Sequence, residues 1–484
     1  MMRISIAVLA TLAFTAPLPA QDRSPARSLT LQDAVAIALE RGSQARVATA
    51  TRDAARYRDR AFGARLLPQL SLGGNLPKYN RSIIQAPQPD GSTLFRPQEQ
   101  TDATLSATLS QKLPVVGGDL SFTSSLASVS RSGATRSWSA TPFSIGLRQD
   151  IFRPNVSAWQ QREQSVVADL AERQYREARE DIALQTANQF FDVYSAQVTR
   201  ERAATNVAVN DTLYTLNKGR YEVAKIGEND LLQSELALLR ARAALDGARL
   251  DEDHAFATMR LALDLPDNIP LAIVSTRVVP AVVADTARAV AEAMRNRAAV
   301  SDAELQRVQS NRRVTEAKLS NGIGATIQAS YGFNATAPEA GLAYQNLLEA
   351  RQFQVQVSMP LWQWGAHARS VDAAEADRDR VASTTDNSLE QMKLDAKFAV
   401  LQLDQARRML EISAKADTVA QKRFEVAYNR YVVGRIQIDN LYQAQGEQDQ
   451  ARTQFVQALR GYWQAYYRLR RVTLFDFEVG QPIR

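Results

Sequence analysis

Cysteine is missing from all 484 residues, and histidine occurs only twice. The first absence removes disulfides, thiolate metal sites, thiol nucleophiles and a lipidated N-terminal cysteine, and it suits an exported chain without a disulfide framework. The second leaves His254 and His367 isolated in helical contexts, without the neighbouring ligands that a metal site requires. The phosphate-binding pattern GxxxxGK followed by Ser or Thr, the zinc pattern HExxH and the nucleophile pattern GxSxG are all absent. No convergent polar constellation replaces them, so neither enzymatic chemistry nor a cofactor is expected.

Long hydrophobic runs are also missing. Beyond the N-terminus no window approaches 18 uninterrupted apolar residues, so hydrophobic helices cannot carry this chain into a membrane, although a β-barrel could. The N-terminus itself reads MMRISIAVLATLAFTAPLPAQD: Arg3, an apolar run from Ile4 to about Thr15, then small residues and prolines up to Ala20. That order predicts a secretory signal peptide over residues 1–20. Charge of one sign is not concentrated anywhere. The net +6 comes from 58 Lys and Arg against 52 Asp and Glu spread along the chain, which reads as solvated helix faces rather than a nucleic-acid surface.

What the sequence does have is an internal repeat, and a repeat sets the architecture. At a shift of 255, AVAIALERGSQA from Ala34 lies over AVAEAMRNRAAV from Ala289. At a shift of 210, Ile145, Leu147 and Phe152 lie over Val355, Val357 and Trp362, and RYEVAKIGENDL from Arg220 lies over RYVVGRIQIDNL from Arg430. Arg220, Tyr221, Val223, Ile226, Leu231 and Gln233 are identical to their counterparts, six matches within 14 positions. The mature chain therefore divides into a first copy over 21–284 and a second over 285–484.

Each copy is expected to open with an amphipathic helix, near 30–65 and 285–320, and to continue into strands. Ala325, Ile327, Ala329, Tyr331 and Phe333 alternate with Thr326, Gln328, Ser330, Gly332 and Asn334, and Phe353, Val355, Val357, Met359 and Leu361 alternate with polar residues in the same way. This period of two predicts strands near 323–336 and 351–361, about the length that crosses a bilayer when tilted. The first copy carries counterparts near 68–76 and 142–152, plus an extra hairpin, 103–113 and 119–129, around PVVGG. Phe143, Phe152, Tyr331, Phe333, Phe353, Trp362 and Trp364 lie near strand ends, as in a membrane-interface belt. A soluble sandwich with one wet face is the alternative reading of these strands.

Long helices follow in each copy, 156–219 with 228–263 and 366–433 with 436–474. The first member of each pair lacks Gly and Pro over a stretch long enough for roughly 90 to 100 Å of helix, and such a helix needs partners along its whole length. Leu232, Leu236, Leu239, Ala243 and Leu250 form one seam at coiled-coil spacing, and Leu238, Ala241 and Leu245 start a second beside it. Two adjacent seams let a helix touch a neighbour on each side, as in a closed tube.

In this order, LTLQDAVAIALERG from Leu29, ARLLPQLSL from Ala64, the two RY words, ARAAL from Ala241 and the duplicated unit resemble the TolC family of Gram-negative outer-membrane channels, over essentially the whole mature chain. The resemblance implies a mixed fold, a membrane β-barrel joined to a long α-helical barrel and assembled as a homotrimer. Residues 264–285 and the C-terminal LFDFEVGQPIR would form an equatorial region. It implies a place in the outer membrane, with lipid around the barrel and the helical part in the periplasm. It also implies a periplasmic adaptor protein and, through the adaptor, an inner-membrane pump or ABC exporter. The function that follows is the passive exit duct of a tripartite efflux pump or type I secretion system. An envelope coiled-coil protein without a pore, structural or adhesive, is the other possibility. Members of the family usually contribute four strands per protomer, and the hairpin at 103–129 departs from that pattern, either joining the barrel or decorating it.

Within the resemblance, the RY words are the turns of helical hairpins at the periplasmic tip. Ala224, Lys225, Val433, Gly434 and Arg435 would be the adaptor-docking tip, and Asp439, Asn440, Gln443, Glu228 and Asp230 would line the aperture. Gly434 suits a tight helix connection, whereas Ala224 in its place, with Gly227 three residues on, predicts a differently shaped first turn. The carboxylates also read simply as helix N-terminal residues that complement the macrodipole. Position 443, where the family carries an acidic residue, holds glutamine here.

Overall fold

The computed structural model describes residues 27–266, 271–274 and 279–483; the expected signal peptide lies outside them. In chain order the principal elements are β1 (Arg27–Leu29), α1 (Leu31–Arg41), α2 (Ser43–Arg65), β2 (Gln69–Pro87), β3 (Thr93–Leu113), β4 (Gly118–Arg131), β5 (Ser137–Ile151), α3 (Val156–Glu222) and α4 (Glu228–Leu263). They continue with β6 (Leu271–Ile273), α5 (Thr286–Asn296), α6 (Ala298–Ser320), β7 (Gly324–Ala337), β8 (Leu348–Ser358), α7 (Ala366–Val432), α8 (Ile438–Thr473), β9 (Phe475–Asp476) and β10 (Gln481–Pro482). Two compact units result. One takes the chain up to Ala45, Ile182–Val279 and Ala406–Gln464, and the other takes Arg46–Asp181, Pro280–Gln405 and Ala465–Arg484. Among the described residues, no helix is long and apolar enough to cross a membrane.

The helix that opens each copy is two helices rather than the single one expected. Thr30 starts α1 with a capping box, its hydroxyl accepting from the Asp33 amide at 3.2 Å, and Asp285 caps α5 by accepting from the Arg288 amide at 3.0 Å. The breaks fall at Gly42 and Arg297, which correspond under the 255 shift and share a backbone near φ −55 to −68 and ψ 145 to 143. Glycine alone is therefore not the cause, since arginine breaks the second copy equally. At Arg297 the Glu177 carboxylate accepts from both the guanidinium (2.6 Å) and the following amide of Ala298 (2.9 Å), which fixes the corner.

All six long strands belong to one antiparallel sheet in the order β2-β3-β4-β5-β7-β8. The extra hairpin is part of this sheet: Leu109 pairs with Leu70 on one side and with Phe122 on the other. The two copies meet at β5 and β7, where Ile145 faces Tyr331. Away from bulges in β2 after Asn75 and in β5 between Ala140 and Phe143, side chains alternate across the pleat. Leu70, Leu109, Phe122, Ile145 and Tyr331 form one cross-strand row on the first face, ending at Arg351, with Gln111, Leu120, Leu147, Ala329 and Phe353 in the next such row. The opposite face carries Ser71, Thr108, Thr123 and Ser144, then Gln69, Ser110, Ser121, Gly146, Ser330 and Gln352.

Strand β2 runs to Pro87, well past the expected end near residue 76, and β3 begins at Thr93 rather than near 103. The added stretch lacks apolar alternation and is held by backbone pairing from Lys78–Asp102 to Pro87–Thr93, beyond a bulge between Asn75 and Lys78. Near the other end of the sheet, Trp362 and Trp364 are exposed and meet edge to face at 5.3 Å, with Phe152 also exposed beyond the end of β5.

In the first unit, α3 packs beside α8 through a core that includes Leu213, Leu441 and Tyr431. Arg202 pairs with Asp449, Arg460 with Asp192 at 2.6 Å, and Gln445 donates to Asn206 at 2.9 Å. The two expected seams on α4 behave differently within one chain. Leu238 and Ala241 are buried, whereas Leu232, Leu236, Leu239 and Leu250 remain exposed. Ile412, Val419, Val426 and Val433, spaced by seven and running along α7 into its terminal turn, are exposed too. In the second unit, Val472 packs on Ala293 and Ala396.

Candidate functional site

Both RY words end a 67-residue helix, and the two turns are congruent. The amides of Ala224 and Lys225 donate to the carbonyls of Tyr221 and Arg220, at 2.8 Å each, and the amides of Gly434 and Arg435 donate to those of Tyr431 and Arg430, at 2.9 Å each. Ala224 has φ 55 and Gly434 has φ 73, so both occupy the left-handed region. The expectation of a differently shaped first turn is thus corrected: alanine accepts the conformation at a cost of about 1 kcal/mol because the hydrogen bonds of the turn fix it. Gly227, which follows, is extended and serves as the N-cap of α4. Accordingly Ala224→Gly is expected to stabilise the protein by about 0.5–1 kcal/mol and Gly434→Ala to destabilise it by about 1 kcal/mol, read as opposite shifts of the urea midpoint.

Each turn presents the same exposed surface. Val223 and Val433 are exposed, as are Ala224 and Gly434, and the cations Lys225 and Arg435 fall at corresponding positions. Asp439 and Asn440 are exposed in the first turn of α8, and Glu228 is exposed and Asp230 half-buried in the first turn of α4. Asp439 accepts a hydrogen bond from Gln233 Nε2 at 2.7 Å, so the carboxylate of the second copy is tied to the amide of the first. Gln443 is exposed and donates to Glu447 at 3.1 Å, and Glu447 also pairs with Arg423. A carboxylate, Glu447, thus lies one helical turn beyond position 443.

A cross-copy latch that sequence reading did not identify lies behind these residues. Arg220 Nη2 donates to the carbonyls of Tyr431 and Val432, at 3.3 and 3.0 Å, and so caps the end of α7 from the end of α3. Its guanidinium also lies 5.2 Å from the centre of the Tyr431 ring. Tyr431 donates from its hydroxyl to Asn217 Oδ1 at 2.6 Å, with both residues buried. Arg220 and Tyr431 belong to the repeated words, which was their only signal; Asn217 had none. Nearby, burial pushes the Tyr442 hydroxyl up to about 12, and the charges of Tyr431 and Asp439 act in the same direction.

Among the described residues no group of three or more His, Asp or Glu stands together as a metal site. The two turns form a helix junction joined by hydrogen bonds between the repeats.

Comparison with models of known families and with curated proteins finds no match. Comparison with solved structures does. The CmeC outer membrane channel of Campylobacter jejuni matches with a TM-score of 0.66 and 14% identity, over 94% of this chain and 86% of that one. The outer membrane protein VceC of Vibrio cholerae gives 0.67 and 14%, over 94% and 97%. The open state of the Neisseria gonorrhoeae MtrE outer membrane channel gives 0.61 and 14%, over 92% and 88%. The chain therefore has the fold of the TolC-like outer-membrane channels.

Proposed function

We propose that three copies of this chain form a passive exit duct through the outer membrane, as the outer component of a tripartite efflux pump or a type I secretion system. The carrying observation is the six-stranded sheet with one mainly apolar and one hydroxyl- and amide-rich face, in a chain that also forms two 67-residue helices. A sheet of that kind suits lipid on one side and water on the other. Trp362, Trp364 and Phe152 then lie at the membrane interface. The helices extend into the periplasm.

The internal repeat supports a ring of copies. Arg202 and Asp449, which join α3 to α8 within the chain, correspond under the 210 shift to Ile412 on α7 and Leu239 on α4, both exposed. Val209 and Tyr442, which pack on the Leu213 and Leu441 cluster, correspond to Val419 and Leu232, also exposed. Thus α7 of one copy meets α4 of the next as α3 meets α8 inside each copy. Such a head-to-tail contact gives a ring where its rotation closes, which in this proposal happens after three copies.

The tip surface of Val223, Ala224 and Lys225 with Val433, Gly434 and Arg435 receives a periplasmic adaptor, through which an inner-membrane pump or ABC exporter supplies cargo and energy. A passive conduit needs neither a cofactor nor a catalytic residue. Asp439, Asn440, Gln443, Glu228 and Asp230 lie around the entrance, and the symmetry of three copies makes Asp439 a ring of carboxylates that favours cations. In planar bilayers, Asp439→Asn is expected to reduce cation preference several-fold while retaining an acceptor for Gln233, and Asp439→Ala is expected also to raise conductance. Unchanged conductance and ion preference in both variants would remove Asp439 from the entrance.

A further inference from the structure

We infer that the β3–β4 hairpin is part of the membrane wall itself, so that each copy contributes six strands and the outer portal is wider and charge-neutral over its middle belt. This rests on the proposed duct, and it concerns the size and chemistry of what passes the outer end. Three features of the sheet carry it.

First, the hairpin is hydrogen-bonded on both sides. Strand β3 pairs with β2 from Gln69–Ser110 onward, and β4 pairs with β5 from Gly118–Gln149 to Val129–Ser137. A decorating hairpin would leave β2 and β5 to pair with each other. Second, its side chains continue the two-faced pattern of the flanking strands, with Gln111, Ser124 and Ser128 as polar members of its mainly apolar face. Leu105, Leu109, Leu120, Phe122 and Leu126 lie on the face that carries Leu70, Ile145 and Phe353, and Thr104, Ser106, Thr108, Ser110, Ser121 and Thr123 lie on the face that carries Ser144, Ser330 and Gln354. A hairpin lying outside the wall or plugging the lumen would have no reason to keep lipid-type residues on one side only.

Third, the sheet ends in two strand edges, β2 and β8, each with exposed apolar side chains: Leu70 and Leu72 on one, Phe353, Val355 and Val357 on the other. Open edges cannot persist in hydrocarbon, because their amides and carbonyls would find no partner. The occupant that satisfies both edges is a second copy, with β8 of one chain antiparallel to β2 of the next. Only slips by an even number of residues keep the apolar side chains on one face. Placing Ser358 opposite Gln69 sets Val357 on Leu70, Gln356 on Ser71 and Val355 on Leu72. Across the rows of the sheet Leu70 aligns with Arg351. The closure therefore slips by six residues over six strands, a tilt of about 35° that falls within the range of closed barrels.

Six strands from each of three copies make eighteen. Barrel diameter grows roughly linearly with strand number, so the wall is about half again as wide as one built from four strands per copy. The two rows through Ser144 and Ser330 present serine, threonine, glycine, alanine and glutamine to the lumen, and the next row on that face carries Lys112, Asp119 and Arg148. Over the uncharged belt the portal thus selects by size rather than by charge.

The absence of cysteine makes the test direct. Single variants Leu105→Cys and Ser106→Cys in β3, with Val355→Cys and Gln354→Cys in β8 as references, are made in the full chain, reconstituted in liposomes and reacted with a charged, membrane-impermeant maleimide. The expected result is labelling at least tenfold faster at 106 than at 105, and at 354 than at 355. Alternation in β8 but not in β3 puts the hairpin outside the wall and overturns the inference while leaving the duct standing; loss of alternation in both strands removes the duct as well. The pair Ser71→Cys with Gln356→Cys is expected to give oxidative cross-links between copies. Absence of cross-links there and at the even slips Ser71→Cys with Gln354→Cys and Gly73→Cys with Gln356→Cys overturns the closure.

Discussion

Replacing Arg470 by methionine is expected to destabilise the protein by about 3–5 kcal/mol, the loss that follows when a buried ion pair is deprived of one partner. Arg470 lies near the end of α8, with its side chain 22% exposed, and it forks onto Glu180 at 3.1 and 3.3 Å while another nitrogen reaches Asp476 at 2.6 Å. Its guanidinium also lies 5.7 and 5.8 Å from the ring centres of Tyr466 and Tyr467. Burial works against the charge, but the bonds to Glu180 and Tyr466 outweigh it and hold the pKa of Arg470 above its ordinary value. The Glu180 side chain is only 4% exposed, so methionine at 470 leaves a buried carboxylate without its counter-charge. Thermal unfolding followed by far-ultraviolet dichroism should register this as a clear fall in midpoint. Adding Glu180→Gln should recover a large part of the loss, because the stranded charge rather than the lost packing dominates it.

The same site predicts sensitivity to alkali. Burial pushes the Tyr467 phenol up to about 12 and raises Tyr466 as well, with Arg470 opposing in both cases. A folded pKa above the unfolded value of about 10 means that the contribution is complete below pH 10 and is lost as pH rises toward 12. Unfolding by alkali should therefore begin near pH 10. Asp476 carries this chemistry into the short strap of β9 and β10, where it pairs with Gln481 and its side chain also accepts from the Glu478 and Val479 amides. The C-terminal segment is held by a residue, Arg470, that sequence reading had no reason to single out among so many arginines.

The succession of strands and long helices was legible because its signals are local. Helices without Gly or Pro, alternation such as that from Ala325 to Phe333, and the two RY words are each visible within a short window. The distal halves of β2 and β3 were not, because Pro77, Lys78, Asn80, Arg81 and Ser82 show no alternation and become strand only through pairing across the hairpin. The shape of the first turn is not legible for a related reason. Alanine disfavours a positive φ in isolation, and the surrounding hydrogen bonds overrule that preference at Ala224. At the candidate site, Asp439 was readable as a carboxylate beside a turn, but its partner Gln233 is 206 positions away, and no local pattern announces such a pair. The breaks at Gly42 and Arg297 carry the same lesson. Only the comparison of the two copies reveals that position in the repeat, rather than glycine, determines them.

Tyr431→Ala is expected to release the latch between the two copies at the tip, at a cost of about 3–5 kcal/mol for a buried aromatic side chain. Tyr431 is 4% exposed and packs with Leu213, Ile438 and Leu441, so it joins the ends of α3, α7 and α8. Its hydroxyl is the partner of Asn217, which is 0% exposed and whose amide nitrogen has no partner. Tyr431→Phe alone should cost about 1–3 kcal/mol, since it also strands the Asn217 oxygen. The double variant Tyr431→Phe with Asn217→Leu should return close to the parent stability, because no buried polar group is then left unpaired. Arg220 separates the cap from the buried packing: Arg220→Ala removes the cap on the Tyr431 and Val432 carbonyls and the cation over the Tyr431 ring but leaves Tyr431 and the apolar side chains around it in place, and its effect should be smaller, about 1–2 kcal/mol. If the tips form the entrance of the proposed duct, conductance in planar bilayers should rise in the order Arg220→Ala, Tyr431→Phe, Tyr431→Ala, with the double variant near the parent. Equal conductance in all four, alongside the expected order of stabilities, would mean that these contacts hold the fold together without governing passage.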